Sequence, residues 1–377
     1  MQMAKRNKAQ RNLKRTGRLT PYDARVAGTF AERPAPPKAA PRALTAAEVR
    51  ADNTAAVRLA AAAGDLRRWL PLFAADLATL NRGKRGRPYE FSDLLVVWVM
   101  TVKTLFDGTF RNIAGFTGDL LEAVGVTGIS YSRLQERGTA LAAGAAVPAA
   151  AAELRGRYGE HILAVCADPH PADRVRRVGI DSTGLSLSCP NHWRLEKWQT
   201  GPQDRGWLKL HALCDADTGE IIACALTDST VGDPALLKVL VAAAAAAGHR
   251  FDTVYADGAY ATDANWIYLC REHRYRFVTS FRVDTVSASN GCLARGAAAA
   301  RWCALPYAEW VLASGYGTRW KCECTFSDLK RLFPETLTAR SRAGLICQVL
   351  SRVRVFNTYK RIRAGIMRVT GNGIAVA

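Results

Sequence analysis

Between residues 175 and 335 the apolar pattern alternates between short strand-like runs and longer helical stretches, and this alternation limits the folds open to the chain more than any other feature. Arg177-Val-Gly-Ile-Asp181 is a short apolar run ending in Asp and followed by Ser-Thr-Gly, the pattern of a buried strand entering a loop. The runs Gly206-Trp-Leu-Lys209-Leu-His211-Ala-Leu-Cys214 and Glu220-Ile-Ile-Ala-Cys224-Ala-Leu-Thr227 follow, joined through Asp217-Thr-Gly219 as a hairpin would be. An Ala-rich stretch predicts a helix over 234–247, and Val254-Tyr-Ala-Asp257-Gly258 is a second apolar run ending in Asp. Helix over 262–274, strand over 277–281 and a closing helix complete the order. The expectation is an α/β domain over 175–340, with a mixed sheet flanked by helices.

The closing helix carries the sharpest chemical signal. Steps of three, four, three and four place Tyr316, Arg319, Glu323, Phe326 and Lys330 on one stripe. Aromatic, cation, carboxylate, aromatic and cation make a poor core face. They suit a surface that holds a metal through the carboxylate and phosphates through the flanking cations. Charge agrees: 377 residues carry a formal net charge of +19, with a pI near 9.8, which favours a polyanionic partner.

Tyr-x2-Arg-x3-Glu-x6-Lys resembles the signature of the insertion-sequence DDE transposases, and Tyr316, Arg319, Glu323 and Lys330 match each of its positions. The resemblance implies a ribonuclease H-like catalytic core in which the first and fourth strands are neighbours. Asp181 and Asp257 would then lie side by side, with Glu323 facing them from the last helix. Three carboxylates in one place repel one another unless a cation is bound. Their hard oxygens suit two Mg²⁺ ions, for which Mn²⁺ could substitute, in an in-line phosphoryl displacement. The resemblance further implies DNA strand cleavage and strand transfer, with double-stranded DNA (element ends bearing terminal inverted repeats, and target DNA) as partner and a homodimer as the active form. Arg319 and Lys330 would grip phosphate, and Tyr316 would pack on a sugar or base. Alternatives are a domesticated DNA-binding protein that no longer transposes and a ribonuclease H-like nuclease that cuts without joining.

Outside the catalytic region, residues 1–44 form a basic, Pro-rich tail expected to be disordered. Residues 45–155 read as an all-helical, helix-turn-helix-like DNA-binding domain. In it Ser92 caps an apolar helix, and short pieces follow over 109–116, 119–124 and 129–137. Ser132-x-x-Gln135 has the form of a capping box. Arg87, in the basic turn Gly83-Lys-Arg-Gly-Arg87-Pro88, and Tyr131, Arg133 and Arg137 are the candidate DNA contacts. An insertion is expected at 282–315. Relatives place strands there and an aromatic that stacks on a displaced base, so Trp302 and Trp310 are candidates for that role, with core packing the favoured reading. Residues 341–377 read as a C-terminal helix and tail.

No segment reads as an export signal or membrane span, since the longest apolar run, 94–106, is too short and contains Lys103. Ten cysteines without a paired C-x-x-C framework suit a reducing cytoplasm, and a cytoplasmic, nucleoid-associated location is expected. Cys189-x-x-His192 and Cys270-x-x-His273 are weak zinc signals.

Overall fold

The computed structural model describes residues 44–144, 162–166, 175–188, 206–229, 231–282 and 285–371. The basic tail and Cys189-x-x-His192 lie outside the described residues. The chain divides into two compact units, one formed by Leu44–Tyr255 with Thr318–Ala377 and the other containing Ala256–Gly317.

The larger unit begins with helices α1 (Ala46–Gly64), α2 (Leu66–Asn81), α3 (Asp93–Phe106), α4 (Phe110–Glu122) and α5 (Tyr131–Gly144). Thr45 and Glu48 close a reciprocal capping box at the start of α1. Ser92 caps α3, its hydroxyl accepting from the Leu95 N–H at 3.0 Å. Two expectations fail here. The pieces over 109–116 and 119–124 are one continuous helix, because Ile113, Thr117 and Leu121, spaced at i, i+4 and i+8, bury one face across the two glycines. The Ser132 capping box does not form, since α5 starts at Tyr131 and leaves Ser132 inside its first turn.

The sheet follows: β1 (Ile162–Val165), β2 (Arg176–Leu187), β3 (Trp207–Asp215), β4 (Ile221–Asp228), then α6 (Pro234–Ala246) and β5 (Phe251–Ala256). Within this unit the strands lie in the order β1-β4-β3-β2-β5, and the short β7 (Thr336–Leu337) also pairs with β2. β2, β3 and β4 are an antiparallel meander, with Asp181 opposite Ala212 and Ser182 opposite His211. β2 and β5 are parallel, so the first and fourth strands of the expected order are neighbours. β1, which the sequence did not signal, adds antiparallel to β4. The mixed sheet of six strands flanked by helices is compatible with a ribonuclease H-like fold.

β2 does not end at Asp181 as expected. Its parallel register with β5 runs as far as Gly179 opposite Tyr255, but its antiparallel register with β3 continues to Ser186 opposite Trp207. The hairpin partner carries the strand on past the acid.

In the smaller unit a single turn, Gly258–Tyr260, leads to α7 (Asp263–Trp266), which continues as a π-helix over Ile267–Glu272, and then to β6 (Arg276–Thr279). The expected insertion contains helices, α8 (Leu293–Ala304) and α9 (Tyr307–Ser314), where relatives were expected to place strands. The Ala-rich sequence of α8 favours that outcome. Its core is aromatic: the Trp266 ring stacks on Phe281 at 5.6 Å, and Trp302 meets Trp310 edge-on at 4.7 Å.

The chain then re-enters the larger unit as α10 (Trp320–Leu332) and ends the described structure with the 30-residue α11 (Arg342–Gly371). α11 packs on α1, α3, α5, β4 and β7, so the first and last helices share one core with the sheet.

Candidate active site

Two of the three expected carboxylates meet in the larger unit. α10 presses on β2 closely enough that a Cβ built on Gly179 would lie 2.0 Å from the Cys322 Sγ. Only a glycine permits this approach. Cys322, which the sequence pattern did not require, fills the contact. It is buried next to Cys214 of β3, and this neighbouring thiol together with burial holds the Cys214 thiol well above its ordinary pKa. The next residue on α10 is Glu323, and Asp181 lies two residues beyond Gly179 on β2.

Arg319 links the two acids. Its Nη2 lies 2.6 Å from Glu323 Oε1, and its Nη1 lies 3.9 Å from Asp181 Oδ2. The Asp181 and Arg319 side chains are about four-fifths buried, whereas that of Glu323 is 44% exposed. The Ser182 N–H donates to Asp181 Oδ1 at 2.8 Å. One cation between two carboxylates offsets their repulsion. Among the described residues no group of three His, Cys, Asp or Glu side chains gathers as a metal-binding cluster.

Asp257 belongs to the smaller unit. Its carboxylate accepts from the Ala259 N–H at 2.9 Å, capping the turn that starts at Gly258. Its carbonyl accepts from the Thr279 hydroxyl at 2.6 Å. A Cβ on Gly258 would come within 2.9 Å of the Ser280 Oγ, so the turn is packed tightly around this acid.

The remaining candidates divide sharply. Tyr316 is not on an exposed helical face: residues 316–319 form a 3-10 turn, and its ring is buried at 4.9 Å from that of Trp310, with its hydroxyl on Ser280 Oγ at 3.1 Å. Phe326 is also buried, since the same stripe that exposes Glu323 turns inward by that point. Trp302 and Trp310 are both buried, as core packing requires. Lys330 is paired with Glu335 at 3.3 Å.

In the helical region, Arg137 is not a free DNA contact. It donates to the Phe91 carbonyl at 2.5 Å and pairs with Asp93, pinning α5 to the start of α3. Arg87 is exposed and pairs with Glu90 at 2.9 Å. Arg133 is exposed on α5, with no ion pair or hydrogen bond among the described residues, and the Arg111 guanidinium lies 4.9 Å from the exposed Tyr131 ring. Burial pushes the Cys270 thiol up to about 12, away from the thiolate that zinc needs.

A polar network that no sequence motif signals lies on the opposite face of β2. Asp233, at the start of α6, accepts from Ser182 Oγ at 2.9 Å and from Lys209 Nζ at 2.8 Å, with His211 Nδ1 at 3.5 Å. The cross-strand pairing of Ser182 with His211 gathers these groups, and no local pattern announces it.

With this geometry in place, comparison with known families bears on the chain's class. Residues 176–358 match the family described as the Transposase DDE domain, a stretch of just under half the chain that contains Asp181, Asp257, Glu323 and Lys330. The match supports a DDE transposase function in general, with DNA as the partner in general and divalent metal as that family's usual requirement. No solved structure matches the chain. No helix among the described residues is long and apolar enough to cross a membrane.

Proposed function

We propose that this protein is a DNA transposase of a prokaryotic insertion sequence, acting as a homodimer in the cytoplasm at the nucleoid. It binds the terminal inverted repeats of its element and carries out Mg²⁺-dependent strand cleavage and strand transfer. The observation that carries the reading is Arg319 bridging Asp181 and Glu323, which brings two hard-oxygen donors from β2 and α10 around one positive charge. That donor set fits Mg²⁺, or Mn²⁺ in its place. Asp257 is assigned as the third ligand from its resemblance to the family's second aspartate motif, since it follows directly on β5 as an apolar run ending in Asp and Gly. When bound, two such ions polarise the phosphoryl group and activate the attacking oxygen.

The chain's own groups do the rest. Asp181 and Glu323 would hold the ions, and Arg319 would then be able to donate two N–H groups to a phosphate. Lys330 exchanges Glu335 for a neighbouring phosphate as a point charge. In the first reaction a water oxygen bonds to phosphorus and the bond to the 3′ oxygen breaks, leaving a 3′-OH on the element. In the second, that 3′-OH bonds to a target phosphorus and displaces the target's own 3′ oxygen. Arg133 and Arg87 contribute phosphate contacts from the helical region.

Glu323→Gln tests the reading, because it keeps size and removes the charge. On a supercoiled plasmid carrying the gene with its flanking DNA, this variant is expected to lose Mg²⁺-dependent nicking while its gel-shift affinity stays equal or tightens. Nicking at the parent's rate would remove Glu323 from the site. Joined products from the parent separate a transposase from a nuclease that only cuts.

A further inference from the structure

The structure assigns Asp233 a positioning role for Asp181, exerted across β2 through Ser182. The inference rests on Asp181 being a metal ligand. Asp233 stands at the N-terminus of α6, where an aspartate ordinarily caps the free N–H groups, yet its side chain makes no capping hydrogen bond there. It faces the strands instead. Its Oδ1 collects Ser182 Oγ at 2.9 Å and Lys209 Nζ at 2.8 Å, and His211 Nδ1 lies 3.5 Å away.

The partners are themselves fixed. Lys209 Nζ also donates to the Val231 carbonyl at 3.3 Å, and His211 Nε2 shares a 2.8 Å hydrogen bond with the Thr227 hydroxyl on β4. The His211 side chain is fully buried, and Lys209 and Asp233 are mostly so. Burial pushes the Asp233 carboxyl up, but the hydrogen bonds from Lys209 and Ser182 outweigh it and leave its pKa lowered, so the group is held charged. Two strands thus converge on one carboxylate oxygen at the start of α6, with β4 joined to them through Thr227.

Successive residues of a strand point to opposite faces. Ser182 therefore anchors on the α6 side while Asp181 projects toward α10, and the Ser182 N–H donates to Asp181 Oδ1 at 2.8 Å. Fixing the Ser182 side chain fixes the peptide that orients the Asp181 carboxylate. Supporting groups of this kind set how well a ligand is aimed and commonly change metal affinity 10–100-fold when removed.

The test uses Asp233→Asn, Ser182→Ala and Ser182→Thr, with Asp181→Asn as reference. Mn²⁺ binding is followed by electron paramagnetic resonance without turnover, and the Mg²⁺ concentration for half-maximal nicking is measured on the plasmid. Asp233→Asn and Ser182→Ala are expected to weaken Mn²⁺ binding and raise the Mg²⁺ requirement about tenfold each, with gel-shift affinity unchanged. Ser182→Thr, which keeps the hydroxyl, should restore both. The double variant should be no worse than Asp233→Asn alone, since both act through one chain of contacts. Parent-like metal dependence in Asp233→Asn, or effects that multiply in the double variant, would overturn the inference. If Asp233→Asn does not fold, the Ser182→Ala and Ser182→Thr pair decides alone, and equal metal dependence in those two overturns it. If Asp181→Asn itself nicks and binds Mn²⁺ like the parent, the active-site reading has failed instead.

Discussion

Replacing Gly179 by alanine should damage both stability and activity, and a second substitution should repair the damage. A Cβ at 179 would sit 2.0 Å from Cys322 Sγ, where ordinary contact begins near 3.4 Å, so the two atoms must part by at least 1.4 Å. The sulfur cannot easily yield, because Cys322 is buried on all sides. The helix must move instead, at an overpacking cost of about 3 kcal/mol. For a unit of this size that lowers Tm by about 6 °C. Cys322→Ala alone leaves a small cavity and costs about 1 kcal/mol. In the double variant the nearest atom of residue 322 becomes its Cβ, 3.6 Å away, which is ordinary contact. Thermal and urea unfolding of the four proteins gives the coupling energy. The double variant should be at least about 2 kcal/mol more stable than the sum of the single changes predicts. Nicking should fall in Gly179→Ala, because Glu323 moves with the helix, and recover in the double variant. A Gly179→Ala protein as stable as the parent, or one that Cys322→Ala fails to relieve, would refute the close packing of α10 on β2.

Three further outcomes follow from named contacts. Arg133→Ala should weaken duplex DNA binding and flatten its dependence on salt by about one phosphate contact, whereas Arg137→Ala should lower Tm and leave the salt slope unchanged, because its partners are Phe91 and Asp93. Gel shifts across a salt series, paired with melting curves, separate the two. Asp52 of α1 is buried; burial raises its pKa, but hydrogen bonds from Arg363 and Tyr359 outweigh this and leave it below its ordinary 3.8. Its stabilisation is therefore present above the unfolded-state value and is lost as pH falls through the lower folded-state value. Asp52→Asn should destabilise the protein at pH 7, and its stability curve should converge on the parent's as the pH drops below 3.8. A destabilisation that persists unchanged at pH 2 would assign the effect to packing.

The alternation of strand and helix between residues 175 and 335 was legible because each element carries its own period, and the Asp217-Thr-Gly219 turn marked its hairpin directly. What escaped depended on partners far along the chain. The stop expected at Asp181 came from the Ser-Thr-Gly that follows it, but β2 continues because Trp207 to Lys209 of β3 still pair with it. Arg137 looked like a surface cation because its anchors, Phe91 and Asp93, lie over 40 residues earlier. Tyr316 fitted a stripe by spacing alone, while its burial against Trp310 follows from an insertion whose helices the resemblance did not suggest. The Asp233 network arises from cross-strand register, which has no local signature.

Asp52 and Arg363 are bonded across 311 positions of sequence, and this has a consequence for how the protein is made. The apolar faces of α1, α3 and α5 leave the ribosome almost 200 residues before α11, against which they pack, begins to appear. At about 5–20 residues per second, those faces wait about 10–55 s for their partner, longest for α1. A nascent chain in that interval leaves those faces without their partner helix, and one cut short before residue 342 never acquires it. Only a chain synthesised through α11 can close this core.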